Sequence, residues 1–217
     1  MSPQKTFQAL LFDLDGTLLD TSHDLISALS TLTNKPLPLT PELRAASGKG
    51  FRGLLKTGLN LDDQDPRYLD LFEKFQDYYA KCLLQKTHFF IGMQEVLNYL
   101  DHQNIPWGIV TNKPEKFTRQ ITEGLQLTQR AKCIISGDSL NNRKPHPEPL
   151  LHACAILKKT PEQCLYVGDS ESDVIASKAA GLSSLVALYG YISEKDNPKN
   201  WQADGYISHP SEILNWV

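Results

Sequence analysis

The chain has 217 residues, enough for one large α/β domain carrying a small insert. Its 22 basic and 25 acidic residues leave a net charge of −3, which builds no broad cationic surface and argues against nucleic acid as a partner. No apolar run reaches membrane-spanning length and the start lacks a basic, apolar leader, so no membrane partner is expected and a cytoplasmic location is.

Residues 7–12 read as a buried strand, because Ala9, Leu10, Leu11 and Phe12 leave no polar face. The run leads into Asp13-Leu14-Asp15-Gly16-Thr17-Leu18, two carboxylates followed by a glycine turn. Close carboxylates repel unless a cation or a proton separates them, so this stretch asks for a metal, a shared proton or catalytic work. A surface turn closing a core strand is the plain alternative. Leu25, Ile26, Leu29 and Leu32 then recur at helical spacing over residues 20–32. Prolines 36, 38 and 41 break that helix, and Thr40-Pro41-Glu42 reads as the N-cap and first turn of a second one running towards Ala46. Ser47-Gly48-Lys49-Gly50 is a flexible stop, and residues 51–55 begin a third helix. A longer helix opens at Asp65-Pro66 and carries Leu69, Phe72, Phe75, Tyr79 and Leu83. Residues 16–84 hold no convincing strand and read as a helical insert between core segments 1–15 and 85–217.

Beyond the insert, helix and strand alternate. Helices are expected over residues 93–101, 116–125, 147–157 and 171–180, the last ended by Gly181. Strands are expected over 107–110, 133–136, 164–167, 184–188 and 205–207. The pattern implies a mostly parallel sheet with helices on both faces. Cys82, Cys133, Cys154 and Cys164 form no C-x-x-C pair, and Cys133 and Cys164 lie in apolar runs that suit buried free thiols.

Each central strand runs into polar residues: Asp13 after the first, Thr111-Asn112 after 107–110, and Asp169 after 164–167, with Asp173 four residues on. The loop Asn141-Asn142-Arg143-Lys144-Pro145 holds a lysine beside a rigid proline. Parallel strands bring their C-terminal ends to one edge, where these residues converge. Several carboxylates around one point suit a hard cation, Mg2+ before others. A lysine and a hydroxyl beside them suit phosphate, and the set supports phosphoryl transfer. A carboxylate can attack phosphorus, and its neighbour can exchange the protons.

Asp13-Leu14-Asp15-Gly16-Thr17-Leu18, Thr111-Asn112, Lys144-Pro145 and Gly168-Asp169-Ser170-Glu171-Ser172-Asp173 resemble, in order, the four motifs of the haloacid dehalogenase-like hydrolases. The likeness runs through essentially the whole chain. It implies a Rossmann-like sheet with a small α-helical cap inserted after the first strand. It implies that Asp13 is the nucleophile, and that Asp15 is the general acid and base whose backbone carbonyl also binds Mg2+. Thr111, with the backbone near Asn112, would hold the phosphoryl group, and Lys144 would stabilise it. Asp169 would bind the metal directly, and Asp173 directly or through water. A monomer or weak dimer acting on a small-molecule phosphomonoester follows from the same likeness.

Within the family the chain resembles the phosphoglycolate phosphatase branch, through Thr111-Asn112-Lys113-Pro114 and Lys144-Pro145-His146-Pro147-Glu148-Pro149-Leu150. The tail, with Tyr189-Gly190-Tyr191-Ile192, Asn197-Pro198 and Trp201, resembles bacterial N-acetylmuramic acid 6-phosphate phosphatases. That sugar phosphate is the expected substrate, with 2-phosphoglycolate the alternative. The same tail is expected to cover the last part of the sheet. The insert must choose the leaving group. Ser47, Gly48, Lys49 and Arg52 are its candidate surface, two cations fit to meet a carboxylate, and His23 is a candidate for the entrance. A solvated helix junction is the competing reading. A phosphosugar mutase or a non-catalytic interaction protein are the rival functions. A nicotinamide enzyme is disfavoured, because the first strand leads into Asp-Gly-Thr rather than G-x-G-x-x-G.

Overall fold

The computed structural model describes residues 6–217; residues 1–5, the start of the expected core segment 1–15, lie outside the described residues. In chain order the elements are β1 (Ala9–Phe12), β2 (Leu19–Asp20), α1 (Ser22–Thr33), α2 (Pro41–Ser47), α3 (Gly50–Leu59), α4 (Tyr68–Cys82), β3 (His88–Phe89), α5 (Met93–His102), β4 (Trp107–Val110), α6 (Glu115–Gly124), β5 (Ile134–Ile135), α7 (Glu148–Leu157), β6 (Cys164–Gly168), α8 (Glu171–Ala180), β7 (Ser183–Ala187) and β8 (Gly205–Ile207).

Six strands form one sheet in the order β5-β4-β1-β6-β7-β8, with every pairing parallel. Leu11 of β1 stands opposite Gly108 of β4 on one side and Tyr166 of β6 on the other. Alternate residues point to opposite faces, so Leu10, Phe12, Trp107, Ile109, Leu165 and Val167 join one core cluster with Met93, Val96 and Leu97 of α5. Ala9, Leu11, Val110, Cys164 and Tyr166 join another with Leu150, Ala153 and Ala176 of α7 and α8. Both faces are therefore covered, which is why these strands read as unbroken apolar runs. β1 starts later than residue 7: Phe7 is buried, but its amide bonds the Trp216 carbonyl at 3.0 Å.

Helices α1–α4 form the inserted cap region, with their own core of Leu25, Leu29, Phe51, Leu54, Phe75 and Tyr79, which Phe117 of α6 joins. The expectation of no strand within 16–84 is corrected: β2 leaves for the cap and pairs antiparallel with β3 on return, Leu19 opposite Phe89 and Asp20 opposite His88. Two residues are too few to show a strand period. The cap of α2 is as expected, with Pro41 in the first turn and the Thr40 hydroxyl accepting from Leu43 N at 3.3 Å. α4 begins at Tyr68 rather than at Asp65, whose carboxylate accepts from the backbone and guanidinium of Arg67 in a local turn. The tail reaches the core cluster on one face of the sheet through Tyr189 and Ile213, and it does more than cover the sheet. Residues 210–216 pack on α5 through Ile213, but Tyr189 and Tyr191 turn back to the base of the cap. Cys133, Cys154 and Cys164 are buried free thiols. Among the described residues no helix is long and apolar enough to cross a membrane.

Candidate active site

Strands β4, β1 and β6 are neighbours, so Thr111, Asp13 and Asp169 emerge side by side from their C-terminal ends. Asp13 Oδ1 accepts from the Leu14 amide at 2.7 Å, which fixes the carboxylate at the strand end. Gly16 turns the chain at φ +81°, and a Cβ there would collide with the Asp169 carboxylate; glycine lets the first loop close over β6. Gly190 is constrained in the same way, because a Cβ would strike Asp169 Cβ and the Gly16 carbonyl.

Lys144 Nζ lies 3.0 Å from Asp13 Oδ2, 2.7 Å from Asp173 Oδ1 and 2.6 Å from the Tyr166 hydroxyl. The Tyr166 hydroxyl in turn donates a hydrogen bond to the Val110 carbonyl at 2.8 Å. Asp173 Oδ2 accepts from the Ser170 hydroxyl and amide at the start of α8, as a capping-box residue. Asp169 accepts from Tyr191 N at 2.7 Å and from the Thr17 hydroxyl at 3.2 Å.

The charges do not balance. Burial pushes Asp13 up to about 6 against the opposing pull of Lys144, with Asp173 adding to the rise. Burial also lifts Asp169 well above the ordinary carboxylate range, and Asp13 and Asp173 reinforce it. Burial works to lower Lys144, but Asp13 and Asp173 outweigh it and hold the ammonium charged. One carboxylate oxygen each from Asp13, Asp169 and Asp173 lies within 4.8 Å of the others. Three crowded carboxylates facing one ammonium fit a hard divalent cation bound through oxygen.

Asp15 belongs to a different set of contacts. Its carboxylate accepts from the Thr21 hydroxyl at 2.5 Å and pairs with Lys113 Nζ at 3.0 Å, outside the three-carboxylate cluster. Asp13 and Asp15 nevertheless line one cavity of about 380 Å3 with Thr111, Asn112, Lys113, Arg143 and Lys144. The Asn112 amide donates to the Lys144 carbonyl at 2.9 Å, while its buried Oδ1 has no partner. The cap side of this cavity carries Ser47, Gly48, Lys49 and Arg52, with Leu25, Phe51 and Phe72 as an apolar wall. The Ser47 hydroxyl is spent on the Leu43 carbonyl at 3.1 Å. His23 is not in the lining; its ring sits 6.5 Å from that of His88 at the cap's neck. Gly48 and Lys49 also border a second cavity, of about 420 Å3, which reaches Asp169 and Trp201.

Four contributors were not assigned a role from sequence: Lys113, Tyr79, Thr21 and Tyr191. Lys113 stands in the run 111–114, a charged residue two positions past the Thr111 that follows the buried end of β4. Thr21 and Tyr79 carry none, since each suits a cap or a core, and Tyr191 is marked only as part of the tail stretch 189–192.

The family described as haloacid dehalogenase-like hydrolase matches residues 10–187 of this chain. The N-acetylmuramic acid 6-phosphate phosphatase of Pseudomonas putida is 36% identical over 209 residues, covering 95% of this chain and 94% of that protein. The phosphoglycolate phosphatase of Xanthomonas campestris pv. campestris is 38% identical over 209 residues, with the same 95% and 94% coverage. The crystal structure of a predicted phosphoglycolate phosphatase from Haemophilus somnus shares the fold, with a TM-score of 0.82 at 23% identity over 96% of each chain.

Proposed function

The chain belongs to the haloacid dehalogenase-like hydrolases, in their phosphoglycolate-phosphatase-like branch, and is a phosphatase; from that premise we propose that it hydrolyses a small carboxylate-bearing phosphomonoester through an aspartyl phosphate. The observation that carries this reading is the Asp13–Lys144 pair, 3.0 Å apart beside Asp169 and Asp173, with Asp15 on the same cavity.

Asp13 attacks phosphorus, forming the aspartyl phosphate as the bond to the leaving oxygen breaks. Asp15 gives that oxygen its proton, then takes one from the water that attacks the phosphoenzyme and releases phosphate. Lys144, Thr111 and the backbone near Asn112 hold the phosphoryl oxygens. Asp13 and Asp169, supported by Asp173 and by the Asp15 backbone carbonyl, would hold Mg2+, which when bound neutralises phosphoryl charge. Residues 16–84 serve as the cap, and residues 1–15 and 85–217 as the catalytic core. Lys49 and Arg52 meet the substrate carboxylate from the cap side.

More of the similar relatives carry the phosphoglycolate name than the muramyl one, and we take 2-phosphoglycolate as the first substrate to test. One observation favours the sugar phosphate: a cavity of about 380 Å3 is of the size that takes a ring with substituents, and a two-carbon acid leaves much of it empty. The test is phosphate release with Mg2+ from both compounds, compared as kcat/KM. A preference for phosphoglycolate supports the first reading, a preference for the sugar phosphate replaces it with the second, and release from neither refutes both.

A further inference from the structure

Lys113 is where the reaction centre and the cap touch. Its ammonium lies 3.0 and 3.1 Å from the two Asp15 oxygens and 2.9 Å from the Tyr79 hydroxyl of α4. A lysine has three N–H donors, and these three contacts use them all. The side chain is only 5% exposed, and a buried ammonium is tolerated only when it is paired and hydrogen-bonded. Tyr79 is itself wedged between Phe51 of α3 and Phe117 of α6, with ring centroids at 5.4 and 5.2 Å. The far side of Asp15 is held by the Thr21 hydroxyl, whose residue sits between β2 and α1. Asp15 is thus gripped from both ends of the cap: by Thr21 where the chain enters it, and through Lys113 by its last helix.

We propose that Lys113 is a positioning residue that aims the Asp15 carboxylate at the leaving oxygen and, through Tyr79, makes that aim depend on where α4 sits. Movement of α4 away from the core removes the Tyr79 oxygen from the ammonium and loosens its hold on Asp15. The acid is then aligned only when the cap is seated over the substrate. This rests on the reading of Asp15 as proton donor.

The test uses leaving groups of graded basicity. In the first step the Asp13–phosphorus bond forms, the phosphorus–oxygen bond breaks, and the departing oxygen takes the Asp15 proton. An alkyl oxygen needs that proton, and a para-nitrophenolate hardly does. For Lys113→Met we expect kcat/KM to fall about tenfold or less on para-nitrophenyl phosphate and about a hundredfold or more on alkyl phosphates, within the range a positioned acid supplies. Tyr79→Phe keeps the ring and removes one contact, so a smaller loss of the same slope is expected; it carries the test alone if Lys113→Met does not fold. An equal loss across the series for the folded variants overturns the proposal and leaves Lys113 a structural residue. Asp15→Asn separates the two readings. If it shows no leaving-group dependence while the wild type turns over, the assignment of Asp15 fails. If the wild type hydrolyses no member of the series, the phosphatase reading itself fails.

Discussion

Asp13 is held by one amide, one ammonium and its place at the end of β1, and each contact leaves the carboxylate available for attack. Asp13→Asn keeps the shape and the acceptor for Leu14 but removes the nucleophile. Phosphate release is expected to fall by roughly a thousandfold or more while the thermal melt stays cooperative. The crowding of Asp13 with Asp169 and Asp173 gives a second expectation. With Asp13 pushed up to about 6, the folded state keeps this proton to higher pH than the unfolded chain does, with its ordinary value of 3.8. Its contribution to stability is therefore complete below that ordinary value and is lost as pH rises through about 6. Mg2+ competes with the proton, so the ion should raise the melting temperature more at about pH 7.5 than at about pH 5. No rise at the higher pH contradicts a metal site on these carboxylates. Asp13, Thr111 and Asp169 were legible because each stands where an apolar run meets a polar residue, and Lys144 because a rigid proline follows it in a polar loop. The Lys113–Asp15 pair was not, because it exists only once β4 lies beside β1.

At the level of elements, helices with a single apolar face were read nearly to the residue, as with α5 and α8, and so were strands buried on both faces, as with β4 and β6. Short pieces were not: β2 and β3 exist through their pairing with each other, and no local pattern marks them. Besides packing Tyr189 on the sheet's core cluster, the tail sets Tyr191 as a clasp at the cap's neck. Its hydroxyl accepts from Thr21 N at 2.7 Å and Ser22 N at 2.9 Å, and donates to Asp20 at 3.0 Å. Arg44 of α2 seals the same corner, donating to the Gly190 carbonyl at 2.7 Å. Tyr191→Phe takes the acceptor from the buried Thr21 amide, while Ser22 N keeps Asp20 Oδ1 at 3.1 Å, and a loss of about 1–3 kcal/mol in urea unfolding is expected. An unchanged midpoint would show that the neck is held by packing alone.

Across the whole molecule, the sheet order matters more than any single element. β1 lies between β4 and β6, which sets Asp13, Thr111 and Asp169, the proposed nucleophile, phosphate-binding hydroxyl and metal ligand, on three adjoining strand ends. The cap core reaches across to Phe117 of α6, so the cap and a helix beside the sheet share apolar contacts as well as the polar ones at Lys113 and Tyr191. The chemistry was legible in the sequence because the sheet delivers it from motifs that are each local. The substrate was not, because the cavity that receives it is assembled from Gly48, Phe51, Phe72 and Arg143, which come together only in three dimensions. The most direct test of the account is a rapid acid quench of the wild-type enzyme turning over a phosphomonoester with Mg2+, followed by peptide mapping of any protein-bound phosphate. Phosphate is expected on the peptide containing Asp13, lost on a chase with unlabelled substrate and absent from Asp13→Asn. Turnover with no phosphoenzyme at any quench time, or with phosphate carried on another residue, would contradict it.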